Sequence, residues 1–102
     1  MKLTKEEALK GQFYYKGIVV FSDTFESTAV ETERYDNLKE CAKALIGVAN
    51  EEIDDFEGLQ LTIKKYEVRN GKAKPIELHF VEYGKSYLVA TKEYDSCLWS
   101  DL

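Results

Sequence analysis

Hydrophobic and polar positions change their spacing along the chain, and each change marks the edge of an element. At the start, Leu3 and Ala8 flank Thr4-Lys5-Glu6-Glu7. This is a capping box, with Thr4 as N-cap, Glu7 reaching back to the cap amide, and Leu3 and Ala8 placed for a hydrophobic staple. Gly11 closes this short first helix. From 12 to 21 the run is β-branched and aromatic on both alternating faces: Phe13, Tyr15, Val19 and Phe21 on one, Tyr14, Ile18 and Val20 on the other. A strand of this kind needs cover on both sides. Ser22-Asp23 signals a turn. Residues 24–33 alternate loosely through Phe25, Thr28 and Val30 with more charge, which reads as an edge strand.

The period then lengthens to three and four. Leu38, Cys41, Ala42, Leu45 and either Val48 or Ala49 form one stripe of a helix over about 37–48. Asp36 or Asn37 caps it, and with Asn37 as cap Glu40 takes the capping-box position. Gly47 weakens the last turn by about 1 kcal/mol relative to alanine. The next stretch, N-E-E-I-D-D-F-E-G from Asn50 to Gly58, reads as a separate short helical turn capped by Asn50. Ile53 and Phe56 point inward, Glu51, Glu52, Asp54 and Asp55 point outward, and Gly58 is the stop. It lacks the alternating oxygen ligands and central glycine of a calcium loop.

Two hairpins follow. Asn70-Gly71 is the preferred pair for a type I′ turn, which sets Arg69 opposite Lys72, Glu67 opposite Lys74, Lys64 opposite Glu77, Ile63 opposite Leu78 and Leu61 opposite Phe80. Gly84-Lys85 suits a type II′ turn, with Tyr87 opposite Glu82, Leu88 opposite Val81, Val89 opposite Phe80 and Thr91 opposite Leu78. One face then carries Leu59, Leu61, Ile63, Ile76, Leu78, Phe80, Tyr87 and Val89. The other carries Thr62, Lys64, Tyr66, Glu77, His79, Val81, Tyr83, Leu88 and Lys92. The expected fold is α+β: an antiparallel sheet of about five strands in ββαβββ order, one main helix across one face and a short N-terminal helix. The pattern does not set how the first hairpin joins the three-strand meander.

Composition narrows the class. With 102 residues, 44% of them hydrophobic, one proline and six glycines, the chain reads as one ordered domain spanning 1–102. The longest purely apolar run, Ile18-Val19-Val20-Phe21, is far shorter than a membrane span or signal segment, so a cytoplasmic location is expected. Cys41 and Cys97 are too far apart for a C-x-x-C pair, and reduced thiols are the expectation. Net charge is −5 and unevenly spread: eleven acids meet three bases between Phe21 and Glu57, while seven bases meet three acids between Gly58 and Lys92. Regional charge of opposite sign can steer a partner.

Support for catalysis is thin. His79 is the single histidine and falls on a strand, no Ser-His-Asp set presents itself, and the glycines form no phosphate loop. Cys41 lies on the apolar stripe, and Cys97 has acids beside it in sequence. The chain reads as no enzyme, with no cofactor and no metal. Seven tyrosines, five phenylalanines and one tryptophan exceed what one helix stripe and one sheet face require. The C-terminal Leu98 and Trp99 fold back over the spare face of strand 12–21, or a partner covers it.

The expected function is a small non-enzymatic protein-interaction module that binds another protein or itself. Its candidate surface is Tyr14, Ile18, Phe25, Glu51, Glu52, Asp54, Asp55 and Trp99. A sharper version is an acidic inhibitor that imitates nucleic acid at a partner's basic site. The rival is nucleic-acid binding through the basic hairpin, with Lys64, Lys65, Tyr66, Arg69, Lys72 and Lys74 as its residues. Overall acidity and the lack of a glycine-aromatic RNA-binding motif oppose that rival.

Overall fold

A computed structural model describes residues 1–22, 25–52, 58–82 and 88–93. The elements run β1 (Lys2–Leu3), α1 (Lys5–Lys10), β2 (Phe13–Ser22), β3 (Ser27–Tyr35), α2 (Leu38–Glu52), β4 (Gly58–Arg69), β5 (Lys72–Val81) and β6 (Leu88–Glu93). All six strands join one antiparallel sheet in the order β1-β3-β2-β4-β5-β6. The α+β class and antiparallel pairing are as expected, with six strands instead of about five. The addition is β1, whose Lys2 and Leu3 pair with Tyr35 and Arg34. β3 is therefore covered at that end and is a sheet edge only along the rest of its length. The first hairpin joins the meander through β2 and β4, which pair from Phe13 opposite Glu67 to Ser22 opposite Gly58.

Both helices start at side-chain caps. Thr4 Oγ1 accepts the Glu7 N–H at 3.1 Å, and Glu7 Oε1 accepts the Thr4 N–H at 3.0 Å. Asn37 Oδ1 accepts the Glu40 N–H at 3.1 Å to open α2. The stripe Cys41, Ala42, Leu45 and Ala49 is buried against Val19, Leu61, Ile63 and Val81 to form the core. Burial of Ala49 one turn past Leu45 carries α2 on to Glu52, so Asn50 is an interior helix residue and no N-cap. Glu51 and Glu52 consequently sit at the C-terminal end of α2, where the helix dipole disfavours acids, and no basic residue accompanies them. Residues 53–57 lie outside the described set.

Gly17 lets α2 approach the sheet. A Cβ there would come within 2.9 Å of Leu45 Cδ1 and 3.2 Å of Thr32 Cγ2. The β2–β3 register slips beside it, and the Thr32 hydroxyl accepts the Gly17 N–H at 2.9 Å, restoring a bond the bulge removes from the ladder.

The Asn70-Gly71 turn has positive φ at both residues, 53° and 74°, as a type I′ turn requires. Arg69 faces Lys72 and Glu67 faces Lys74 as expected. Beyond them the register departs: Tyr66 faces Pro75, but Lys65 faces Glu77, leaving Ile76 without a partner on β4. Proline has no N–H to give the ladder, and a bulge accommodates it inside a sheet. One extra residue exchanges the two faces of the strand beyond it. Ile63 is therefore opposite His79 in place of Leu78, Leu61 opposite Val81 in place of Phe80, and Lys64 opposite Leu78 in place of Glu77. Glu77, His79 and Val81 move to the α2 face, and Leu78 and Phe80 to the other. A second slip keeps Leu88 opposite Val81 but sets Ala90 opposite Phe80 and Thr91 opposite His79. The expected Gly84-Lys85 turn, Tyr83 and Tyr87 lie outside the described residues.

Candidate binding surface

α2 packs on β2, β3 and β4 from one side of the sheet, and α1 packs on β1 and β3 at its edge. The residues that alternate away from α2 make a second face. On β2 these are Tyr14, Lys16, Ile18 and Val20; on β4, Thr62, Lys64 and Tyr66; on β5, Leu78 and Phe80. Tyr14 stacks on Tyr66 across the two strands, with ring centroids 4.8 Å apart and planes 14° from parallel. The Arg34 guanidinium lies 5.8 Å from the Tyr14 centroid. Tyr14 is only 6% exposed, buried outside the α2 core by these neighbours.

Directly beside the tyrosine pair, register aligns Arg34 with Lys16, Lys16 with Lys64, Lys64 with Leu78 and Leu78 with Lys92. Residues directly opposite share a face, so four cations and one leucine form a row across five strands. Lys16 Nζ bonds Glu31 Oε2 at 2.7 Å, because the β2–β3 bulge brings Glu31 to the same side as Arg34. Lys16, Gly17, Ile18, Glu31, Lys64 and Tyr66 line a shallow groove here. The next row runs Glu31, Ile18, Thr62, Phe80, Ala90, so Ile18 and Phe80 are its large apolar members.

The residues expected from sequence divide between this face and elsewhere. Tyr14 and Ile18 are on it. Phe25 lies in the connection between β2 and β3 and is 93% exposed. Glu51 is exposed at the end of α2, on the opposite side of the sheet. Asp54, Asp55 and Trp99 lie outside the described residues, as does the fold-back of Leu98 and Trp99. Of the basic-hairpin set, Lys64 and Tyr66 belong to this face. Lys65 turns the other way, with Nζ 4.5 Å from the Phe13 centroid and 5.8 Å from that of Tyr15, while Arg69 pairs with Glu67 at 2.6 Å. Lys72 and Lys74 follow Arg69 and Glu67 by register. The six hairpin residues therefore do not converge. Sequence reasoning gave Lys16 and Arg34 no site role and placed Lys92 on the second sheet face without one; the signal was Lys16 itself, which interrupts the apolar alternation Tyr14, Ile18, Val20.

Two groups on the α2 side bear on chemistry. His79 is 5% exposed, more buried than its strand position suggested. Its Nε2 is 2.9 Å from Glu77 Oε2 and its Nδ1 2.9 Å from Thr91 Oγ1. The Glu77 carboxylate accepts from Nε2–H, and the Thr91 hydroxyl pairs with Nδ1. That is the order of a hydroxyl-imidazole-carboxylate relay. Acyl transfer also needs converging N–H donors at the developing oxyanion, and β5 is paired on both sides through this stretch, with β4 and with β6. The two contacts satisfy both ring nitrogens of a buried imidazole between two strands. Cys41 is fully buried, and burial pushes its thiol up to about 11 despite the Thr32 hydroxyl 3.9 Å away. Such a thiol is a poor nucleophile.

Among the described residues no group of three His, Cys, Asp or Glu side chains is placed to hold a metal ion, and no helix is long and apolar enough to cross a membrane. No protein-family model, curated protein or solved structure matches the chain.

Proposed function

We propose that the protein is a small non-catalytic interaction module that docks another protein on the sheet face turned away from α2. The observation that carries this reading is the make-up of that face: Tyr14, Ile18, Val20, Tyr66, Leu78 and Phe80 gather on three adjacent central strands while α2 covers the other side. Interfaces are enriched in aromatic residues, and this face carries the stacked Tyr14–Tyr66 pair and Phe80 on either side of Lys16 and Lys64. The reading takes the chain as a single domain working in the cytoplasm. It narrows the interaction surface to Tyr14 and Ile18 with their new neighbours, and it makes no use of Glu51.

The test compares proteins captured from lysate by the tagged wild type, an Ile18→Asp variant and a Glu51→Lys variant, after nuclease treatment, with folding checked by circular dichroism. Loss of one specific captured protein with Ile18→Asp and its retention with Glu51→Lys is the expected result. The reverse pattern would favour the acidic-inhibitor reading, and loss of all capture on nuclease treatment would favour nucleic acid.

A further inference from the structure

We infer that the occupant of this face is an acidic, extended polypeptide segment whose carboxylates lie along the cross-strand row Arg34, Lys16, Lys64 and Lys92. The inference rests on the docking reading above and names the chemistry of its partner.

The row is unfavourable for the fold by itself. Like charges directly opposite on neighbouring strands repel, and here Arg34 faces Lys16 and Lys16 faces Lys64. Glu31 neutralises Lys16 alone, and neither Arg34 nor Lys64 has an ion-pair partner among the described residues. Among the described residues Arg34, Lys64 and Lys92 are three cations of this row without an ion pair, and together they make a local positive field although the whole chain carries −5. At physiological salt that field acts over roughly 8 Å, so acids on the α2 side do not cancel it. Aromatic rings on one flank and Ile18 and Phe80 on the other would exclude water from a bound carboxylate, strengthening its attraction to the lysines.

Geometry sets the length of the occupant. Strands lie about 4.8 Å apart, so the row from Arg34 to Lys92 spans roughly 19 Å. An extended peptide rises about 3.3 Å per residue with alternate side chains on one side, so about six residues cover the row and present three of them to it.

A single nucleic-acid strand would also match the charge, but it needs ring faces on which to stack bases. Tyr14 is already stacked on Tyr66 at 4.8 Å with the Arg34 guanidinium 5.8 Å from its centroid, and the residue is nearly buried. An acidic peptide needs no such platform.

The test uses amide NMR spectra of the full chain titrated with hexa-L-glutamate, hexa-L-serine and hexathymidylate at low and high salt. Hexaglutamate should shift the amides of Lys16, Arg34, Lys64 and Lys92 at low salt, hexaserine should not, and Lys64→Glu should weaken the effect at least tenfold. Lys64→Gln serves if the charge reversal fails to give a dispersed spectrum. Hexathymidylate shifting the same amides at lower concentration would overturn the inference in favour of nucleic acid. Row shifts that depend on protein concentration without any probe would overturn it in favour of a second copy. No hexaglutamate shift, with Ile18→Asp still losing its captured protein, would overturn the acidic occupant and leave the docking face standing. Failure of both would remove the docking reading as well.

Discussion

Reversing one charge in the cation row should make the protein more stable. Lys64 and Lys16 stand directly opposite on β4 and β2, and Lys16 is already paired with Glu31. Two unit charges about 5 Å apart in a water-like dielectric interact with roughly 0.8 kcal/mol, and cross-strand charge pairs contribute about 0.2–1 kcal/mol. Lys64→Glu exchanges a repulsion for an attraction. The gain is partly offset by Glu31, which is more than half exposed and two strands from β4. A net stabilisation of about 0.5–1 kcal/mol at low salt follows, equivalent to a rise in Tm of roughly 2–6 °C for a chain of this size. Lys64→Gln, which removes the repulsion without adding an attraction, should give about half. Thermal unfolding by circular dichroism in 20 mM and 500 mM NaCl measures both, and the higher salt should remove most of the gain by screening. A destabilised Lys64→Glu at low salt, or a gain insensitive to salt, would show that these side chains do not repel one another and would remove the physical ground for an anionic partner.

Gly17→Ala should destabilise by about 1–3 kcal/mol in urea unfolding, since its methyl meets Leu45 and Thr32 below normal contact distance; pairing it with Leu45→Ala should cost less than the sum of the two single changes. Gly47→Ala should stabilise by about 0.5–1 kcal/mol in the same assay, because this exposed helical glycine has open space around it. Cys41 should resist thiol reagents at pH 8 until the protein unfolds. Because its folded-state pKa is raised from 9.0 to about 11, the unfolded chain loses the thiol proton first. Stability should therefore fall as pH rises from about 9 to 11, by roughly 2–3 kcal/mol more than in a Cys41→Ala variant. Equal pH slopes for the two proteins would contradict the buried thiol.

Local chemistry made much of the fold legible from sequence. Thr4 with Glu7, Asn37 with Glu40, and Asn70-Gly71 each specify their backbone within a few residues, and the structure has all three. The Cys41 to Ala49 stripe identifies the buried side of α2 for the same reason. Register over longer distances was not legible, because each bulge resets it. Pro75 carried a signal, since proline within a paired strand calls for a bulge; reading it so would have moved His79 and Val81 to the core face and Leu78 and Phe80 off it. Gly17 within β2 carried another, marking both the close approach of Leu45 and the slip against β3. The cation row needs both corrections together, because its members come from four strands and only pairing brings them into line. Asn50 misled in the opposite direction: its capping preference is outweighed by burial of Ala49 in the same turn.

The docking face is tested most directly by placing a photo-crosslinking amino acid at Ile18, and separately at Glu51, in the full chain and irradiating it in lysate. A single covalent adduct to one acidic protein from the Ile18 position, suppressed by added hexaglutamate and absent from the Glu51 position, is the predicted result. An adduct formed from Glu51 and not from Ile18 would place the partner on the α2 side and contradict the account.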